Sequence, residues 1–386
     1  MRLAVSRVTR MASVVVSAVR FRSMLANRNK GLSQALNDLN TRVDLGVLHD
    51  VDTEVDFDDL LLLARYFKRP WPYLLLDDAE SFPDLGQDHR THYNQLAYAS
   101  AELITELEAS MLILSAASEL FPEGGYQVPR DGMTTSIPPG DIGAEVRTFL
   151  GVSANEQLST SDEYAALRLW VGALEARGVY VSQRRLDDPT IRAFSKTDLG
   201  QALIVVDTGD SPYARSFSLL HEYCHIILRS TGICDLDQHD AVERYCNRVA
   251  AAALMPMELL SKEIGVWHFG LDDEEDDVRL RRLSDRFRVS QAALLIRLQE
   301  ASWISERSYD AMELRRSRRR APERTPGGQF YPVAINRAGR RFSRNVFGVL
   351  DEGAIDRADA AGLLGIGEHL IPRYRRELFG GHGDAG

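Results

Sequence analysis

Cysteine is scarce in this chain. Three stand in 386 residues, Cys224, Cys234 and Cys246, and no two are spaced as CxxC. An odd count without that spacing excludes a disulfide framework and points to a reducing, cytoplasmic home. Long apolar runs are missing as well: no stretch approaches the roughly 20 apolar residues needed to span a bilayer, so no membrane partner is expected. Positive charge is also short. Lys and Arg number 46 against 56 Asp and Glu, a formal net charge of −10. That excludes a chain working as a whole as a nucleic-acid coat or a membrane-surface binder, both of which need net positive patches. No internal repeat or low-complexity segment is visible.

What remains is the composition of an ordinary globular protein, 44% hydrophobic and 26% charged, long enough for two or three domains. The first thirty residues carry Arg2, Arg7, Arg10, Arg20, Arg22, Arg28 and Lys30 and no acid. The apolar run Met11 to Val19 has the look of a signal-peptide core, but it is short, an Arg follows it directly and no small-x-small cleavage site follows. A first helix of an N-terminal domain is the plainer reading.

Periodicity divides the rest. Ser33 to Asn40 and Phe57 to Phe67 have helical spacing, and several short helices in the 20–80 region fit a compact helix-turn-helix-like module. A longer amphipathic helix is expected over 90–121, a Pro/Gly-rich linker over 122–140, and helix again over 141–176. Then Gly178 to Val181, Ile191 to Ser195 and Ala202 to Val206 read as three short strands. Helices follow at Ala214 to Arg229 and at Gln238 to Leu254, the second stopped by Met255-Pro256. The acidic run 272–277 reads as the solvated start of a helix, residues 278–300 as helical, Arg315 to Arg320 as a charged loop, and 338–378 as helix. The expected fold class is therefore mainly α with a small β-sheet (α+β). The expected divisions are 1–80, 81–140, 141–265 and 266–386.

The chemistry is concentrated in His221-Glu222-Tyr223-Cys224-His225, an HExxH motif. Histidines at i and i+4 lie on one helix face, about 40° apart around the axis, so both imidazoles can reach one ion at roughly 2.0–2.1 Å. Glu222 sits beside that position, where it can accept a proton from water and pass it to a leaving amine. A catalytic zinc needs a third protein ligand and an open fourth position. Glu243 supplies the ligand, 18 residues after His225 on a second helix, and Asn247 follows one turn later, able to bond a ligand histidine and fix its tautomer. This is the arrangement of a gluzincin, with one Zn2+ per chain and Mn2+ also compatible with the donor set. His239 is an alternative ligand, and Cys224 stays a candidate although its angular position on the helix favours packing. His268 and His49 have no partner pattern. Tyr213 and Tyr245 are candidate donors to an oxyanion.

These residues resemble the ImmA/IrrE family of metallo-endopeptidases. The three expected strands, Ser211 to His225 (SPYARSFSLLHEYCH) and Glu243 to Pro256 (ERYCNRVAAAALMP) are similar to that family's ordered motifs over about 80 residues. Tyr223 and Cys224 replace the commoner Leu-Gly, and Ser218 the commoner Thr; none of these removes a ligand or the base. Leu39 to Asp78, above all Asp58 to Leu76, looks like the degenerate XRE-type helix-turn-helix domain of longer members, and residues 283–298 and 327–350 resemble their C-terminal helical extension. The resemblance implies a zincin-like (gluzincin) peptidase core in which His221, His225 and Glu243 bind zinc and Glu222 activates water. It implies a substrate too, an XRE-type transcriptional repressor, and with it a role in transcription regulation and stress response. The alternative it leaves open is a DNA-binding regulator or antitoxin whose peptidase domain is a sensor or inactive.

Family likeness alone would put DNA on the N-terminal module. Its charge speaks against that. Asp38, Asp44, Asp50, Asp52, Glu54, Asp56, Asp58 and Asp59 stand against a single Arg42 over residues 38–59, and acids facing phosphates cost affinity. Docking of a protein partner fits the module at least as well.

Overall fold

Val14, Val15 and Val16 follow one another, and three β-branched side chains in a row favour extended backbone over helix. In the computed structural model they form β1 (Ser13–Val16), which pairs antiparallel with a later strand, Val14 opposite Val55. This corrects the reading of Met11 to Val19 as a first helix: α1 (Ala18–Asn27) begins only after the strand. The structure describes residues 13–27, 31–39, 41–67, 74, 101–187, 191–229, 239–264, 274–310 and 329–380. The chain falls into two compact units, Met1–Glu108 and Ala109–Gly386.

In the first unit α2 (Leu32–Asp38) and α3 (Leu45–Asp50) follow, then β2 (Thr53–Asp56), the partner of β1, and α4 (Phe57–Tyr66). Phe21, Met24, Leu45, Leu48, Val55, Leu60, Leu63 and Phe67 form its buried core. The acids of this unit have local employment. Asp44 caps α3 by accepting from the amides of Gly46 and Val47. Buried Asp59 accepts from the Thr41 hydroxyl and the Arg42 amide, Asp52 from the Ala18 amide, and Asp38 from the Tyr66 hydroxyl.

α5 (Ala101–Leu120) contains the boundary between the units. Residues 121–138 form no helix or strand. Then come α6 (Pro139–Leu150), α7 (Ala154–Leu158) and α8 (Glu163–Ala176). Ser153 and Glu156 close α7 with a reciprocal capping box, and Asp162 caps α8.

The three expected strands are present as β3 (Val179–Arg184), β4 (Ala193–Asp198) and β5 (Gln201–Asp207). Their order is β3-β5-β4, with β3 parallel and β4 antiparallel to β5. Central β5 is buried from Gln201 to Val206, and its apolar run Ala202 to Val206 is what covering of both faces requires.

One helix packs on this sheet and a second packs on that helix. α9 (Pro212–Arg229) starts with proline at its first position and the Ser211 hydroxyl accepting from the Ala214 amide. Its Leu219, Leu220, Tyr223, Ile226 and Ile227 are buried. α10 (His239–Leu254) carries the small-residue run Ala250 to Ala253. That run lets α6 approach closely: a Cβ on Gly143 would lie 2.6 Å from the Cβ of Ala252. Arg147 of α6 secures the same crossing, donating to the Ala253 carbonyl at 2.8 Å and to Gln157 at 2.7 Å. Burial pulls the Arg147 guanidinium down to a pKa of about 10, with Glu156 opposing.

α11 (Met257–Ile264), α12 (Glu274–Phe287) and α13 (Gln291–Glu300) complete this layer. The acidic run 272–277, whose last four residues open α12, is not wholly solvated. Asp276 is buried, with Arg279 one turn on at 3.7 Å. Four helices close the unit: α14 (Phe330–Ala338), α15 (Arg340–Asp351), α16 (Arg357–Leu364) and, after a 3-10 turn at Glu368–Leu370, α17 (Ile371–Gly380). α14 lies along β3, where the Ser182 hydroxyl donates to the Arg337 carbonyl. Gly339 is required there. Its φ is +90°, and a Cβ would meet the Val181 carbonyl oxygen at 2.6 Å.

The protein is thus mostly helical with two small sheets, an α+β architecture. No helix among the described residues is long and apolar enough to cross a membrane.

Candidate metal centre

His221 and His225 share one face of α9, and their Nε2 atoms are 3.1 Å apart. Glu243, on the first turns of α10, reaches both: Oε2 lies 3.2 Å from Nε2 of His221 and Oε1 lies 3.2 Å from Nε2 of His225. Four-coordinate tetrahedral geometry with bonds of about 2.0–2.1 Å places ligand atoms about 3.3–3.4 Å from one another. The three observed separations lie just inside that value, so the donor set and its spacing fit one divalent ion without rearrangement. Among the described residues this is the cluster of His, Cys, Asp or Glu able to hold a metal.

The charges are mutually adjusted. Burial pulls the His221 imidazolium down, but Glu243, Glu222 and Asn247 together outweigh it and leave its pKa above the ordinary value. Glu243 is opposed by burial in the same way, and the two imidazoles hold its carboxyl far below the usual carboxylate range. Asn247 acts on His221 from one turn beyond Glu243. The Nδ1 of His221 is buried and has no hydrogen bond of ordinary geometry. Phe217, one turn before His221, stacks on its ring at a centroid distance of 6.4 Å.

Glu222, next to His221 on α9, acts electrostatically on that imidazole and also meets the sheet. It is buried, and its Oε2 accepts from the Ser195 hydroxyl at 2.7 Å. Ser195 lies on β4, paired with Ile204 of β5, and among the described residues β5 is the strand that β4 pairs with. Sequence reading missed this residue, since a single serine in a strand carries no spacing signal.

The other candidates are placed as follows. Cys224 is buried and packs against Cys246 of α10, apart from the triad's donor atoms. Tyr245 is no oxyanion donor, because its hydroxyl donates to the Ile137 carbonyl at 2.8 Å. Tyr213 sits two turns before His221 and makes no hydrogen bond to the triad. His49 bonds its neighbour Asp50. His239 opens α10, but its side chain, like His268, Cys234 and the Arg315 to Arg320 cluster, is outside the described residues. Tyr223, where Leu is commoner in the resembling family, has a use for its ring oxygen. The buried hydroxyl donates to the Gln127 carbonyl at 2.9 Å and ties α9 to the 121–138 segment.

Residues 174–299 match the Peptidase_M78 family model, described as the IrrE N-terminal-like domain. The match spans the end of α8, the three-stranded sheet, both site helices and α11 to α13, about a third of the chain. For this part of the molecule it supports the ImmA/IrrE resemblance and a metallopeptidase of that type. No curated protein matches the chain.

Proposed function

We propose that this protein is a zinc-dependent metallo-endopeptidase that acts on a folded regulatory protein, an XRE-type transcriptional repressor. The observation that carries the proposal is the convergence of His221, His225 and Glu243 at 3.1–3.2 Å beside a buried, hydrogen-bonded Glu222. His221, His225 and Glu243 would hold the ion. Bound there, a zinc ion supplies Lewis-acid polarisation of a peptide carbonyl and lowers the pKa of water toward neutrality. Glu222 takes the proton from the attacking water and delivers it to the departing amine, and the Ser195 bond holds its carboxylate in one orientation for both transfers. Asn247 orients the His221 ring. Among the described residues β4 pairs with β5 alone, and an extended peptide adding along its outer side as a further strand is the substrate geometry this reading assigns. Mn2+ suits the same donors.

The N-terminal unit is assigned the docking of the repressor, since its acids disfavour contact with phosphates. The testing experiment is elemental analysis of purified protein, wild type against a His221→Ala, His225→Ala double variant, followed by incubation with candidate repressors. About one zinc per chain, lost in the variant, and cleavage only by the zinc-loaded wild type sustain the proposal. Absence of metal after zinc is supplied at neutral pH would replace it with the reading of a DNA-binding regulator that has an inactive peptidase domain. Salt-sensitive retention on DNA would then test that reading.

A further inference from the structure

A second charged recess lies on the other side of the sheet from β4, between α8 and the start of α15. It has a volume of about 160 Å³, and its polar lining is Arg168, Glu175, Gln183, Asn336, Arg340 and Arg344. Three guanidiniums therefore face one carboxylate.

The placement of those cations runs against helix electrostatics. Acids are favoured at helix N-termini, where the macrodipole is positive, and cations there cost stability. α15 opens Arg340-Arg341-Phe342-Ser343-Arg344, with no acid in its first turn and no side-chain cap on Gly339. Glu175 of α8 provides part of the compensation by accepting from the Arg341 amide at 2.9 Å. Arg341 itself is committed to structure, donating to the carbonyls of Glu175 and Gly124. Arg340 is not. Its Nη1 is buried and has no hydrogen-bond partner. A guanidinium nitrogen removed from water without a partner is costly, and native structures hold few of them. Neither Arg340 nor Arg344 forms an ion pair within 4.0 Å among the described residues; both act on Glu175 only at longer range.

We propose that this recess binds a small dianion of the phosphate class, held by Arg340, Arg344 and Arg168 at the N-terminus of α15. Guanidinium groups match phosphate oxygens in geometry as well as charge, and the helix N-terminus adds a favourable dipole, its Arg341 amide being already given to Glu175. The volume is below the roughly 300–1,000 Å³ of pockets for drug-sized molecules, so the recess takes a phosphate group and little more. Such an anion would bridge α8 to the C-terminal helices. The inference is independent of the peptidase reading.

The test is calorimetric titration of the full chain with inorganic phosphate at neutral pH, against sodium chloride of equal ionic strength, repeated with glycerol phosphate. One saturable site per chain, weakened at least about tenfold in Arg344→Gln through loss of a charge-assisted bond, is the expected result. The melting temperature should rise with phosphate in wild type and not in the variant. Arg344 is exposed, so Arg344→Gln should fold, and the phosphate shift of each protein is read against its own unliganded melting temperature; Arg340→Gln gives a second reading. Tighter binding of the monoester would identify the phosphate end of a larger metabolite as the ligand, and tighter binding of inorganic phosphate the free ion. No saturable binding in wild type, or equal affinity in Arg344→Gln, overturns the site.

Discussion

Ser195 donates its hydroxyl to Glu222 across 2.7 Å, joining the outer strand of the sheet to the helix that carries both histidines. Both residues are buried, so this bond is not exchanged for one to water. A hydrogen bond to an ionised group under those conditions contributes about 1.5–3 kcal/mol. Here it fixes where the carboxylate points. Replacement by Ala should lower kcat about 10-fold to 100-fold, with KM and zinc content unchanged. Ser195→Thr should restore most of the loss. Equal kcat in Ser195→Ala would show that the bond is structural only.

Glu222→Gln separates metal binding from proton transfer. Glu222 contributes no ligand atom to the cluster of His221, His225 and Glu243. Zinc content should therefore stay at the wild-type level while cleavage falls about 10²-fold to 10⁴-fold, the usual contribution of a positioned base. Cleavage at the normal rate would remove Glu222 from the mechanism.

Gly143→Ala and Gly140→Ala make a matched pair on α6. At Gly143 the new methyl would lie 2.6 Å from the Cβ of Ala252 and 2.8 Å from the Ala253 amide nitrogen, whereas at Gly140 nothing lies within 4 Å. Urea unfolding should show the first destabilised by about 1–3 kcal/mol. The second should be neutral or stabilised by up to about 1 kcal/mol, through the smaller entropy of its unfolded chain. α10 carries Glu243, so zinc affinity should fall with Gly143→Ala alone.

Asp351 gives a pH dependence in the C-terminal helices. Arg375 donates to both of its carboxylate oxygens, each at 2.7 Å, and this pairing lowers the Asp351 pKa. A carboxyl depressed in the folded state contributes stability that is present above its unfolded pKa and is lost as pH falls through the folded one. The contribution should thus be complete at neutral pH and vanish only in strong acid, and salt should weaken it because the pair is exposed. Carboxyl titration by NMR checks this: the Asp351 midpoint should lie below the ordinary aspartate value and return to it in Arg375→Gln.

The site was legible where its chemistry follows helical spacing. His221 and His225 are four residues apart, and Glu243 and Asn247 repeat that interval, so both pairs had to share a helix face and could meet at one point. β5 was legible because its burial on both faces demands an unbroken apolar run. Ser195 was not, because its partner depends on β4 pairing in register with β5 and on α9 crossing it. Tyr245 looked like an oxyanion donor and Tyr223 only like a departure from the family's commoner Leu; each proves to hold a backbone carbonyl, an assignment that depends on where the irregular 121–138 segment runs. Asp276 belonged by composition to a solvated run, yet the helix that starts there turns it inward. The XRE-type likeness of the N-terminal module rested on Leu39 to Asp78, above all Asp58 to Leu76, a stretch that lies after β1 and so held little trace of the β1–β2 ribbon.

The contact of Gly339 with the Val181 carbonyl bears on how the molecule can be cut. The stretch recognised by the family model ends at residue 299, while the helix that borders β3 begins at Phe330. A gene trimmed to the recognised stretch would encode a sheet with that apolar margin bare, the condition under which strands from separate chains add to one another. It would also lack α6 and its grip on Ala252. In this protein the stretch that sequence comparison isolates leaves out two helices that pack directly on it.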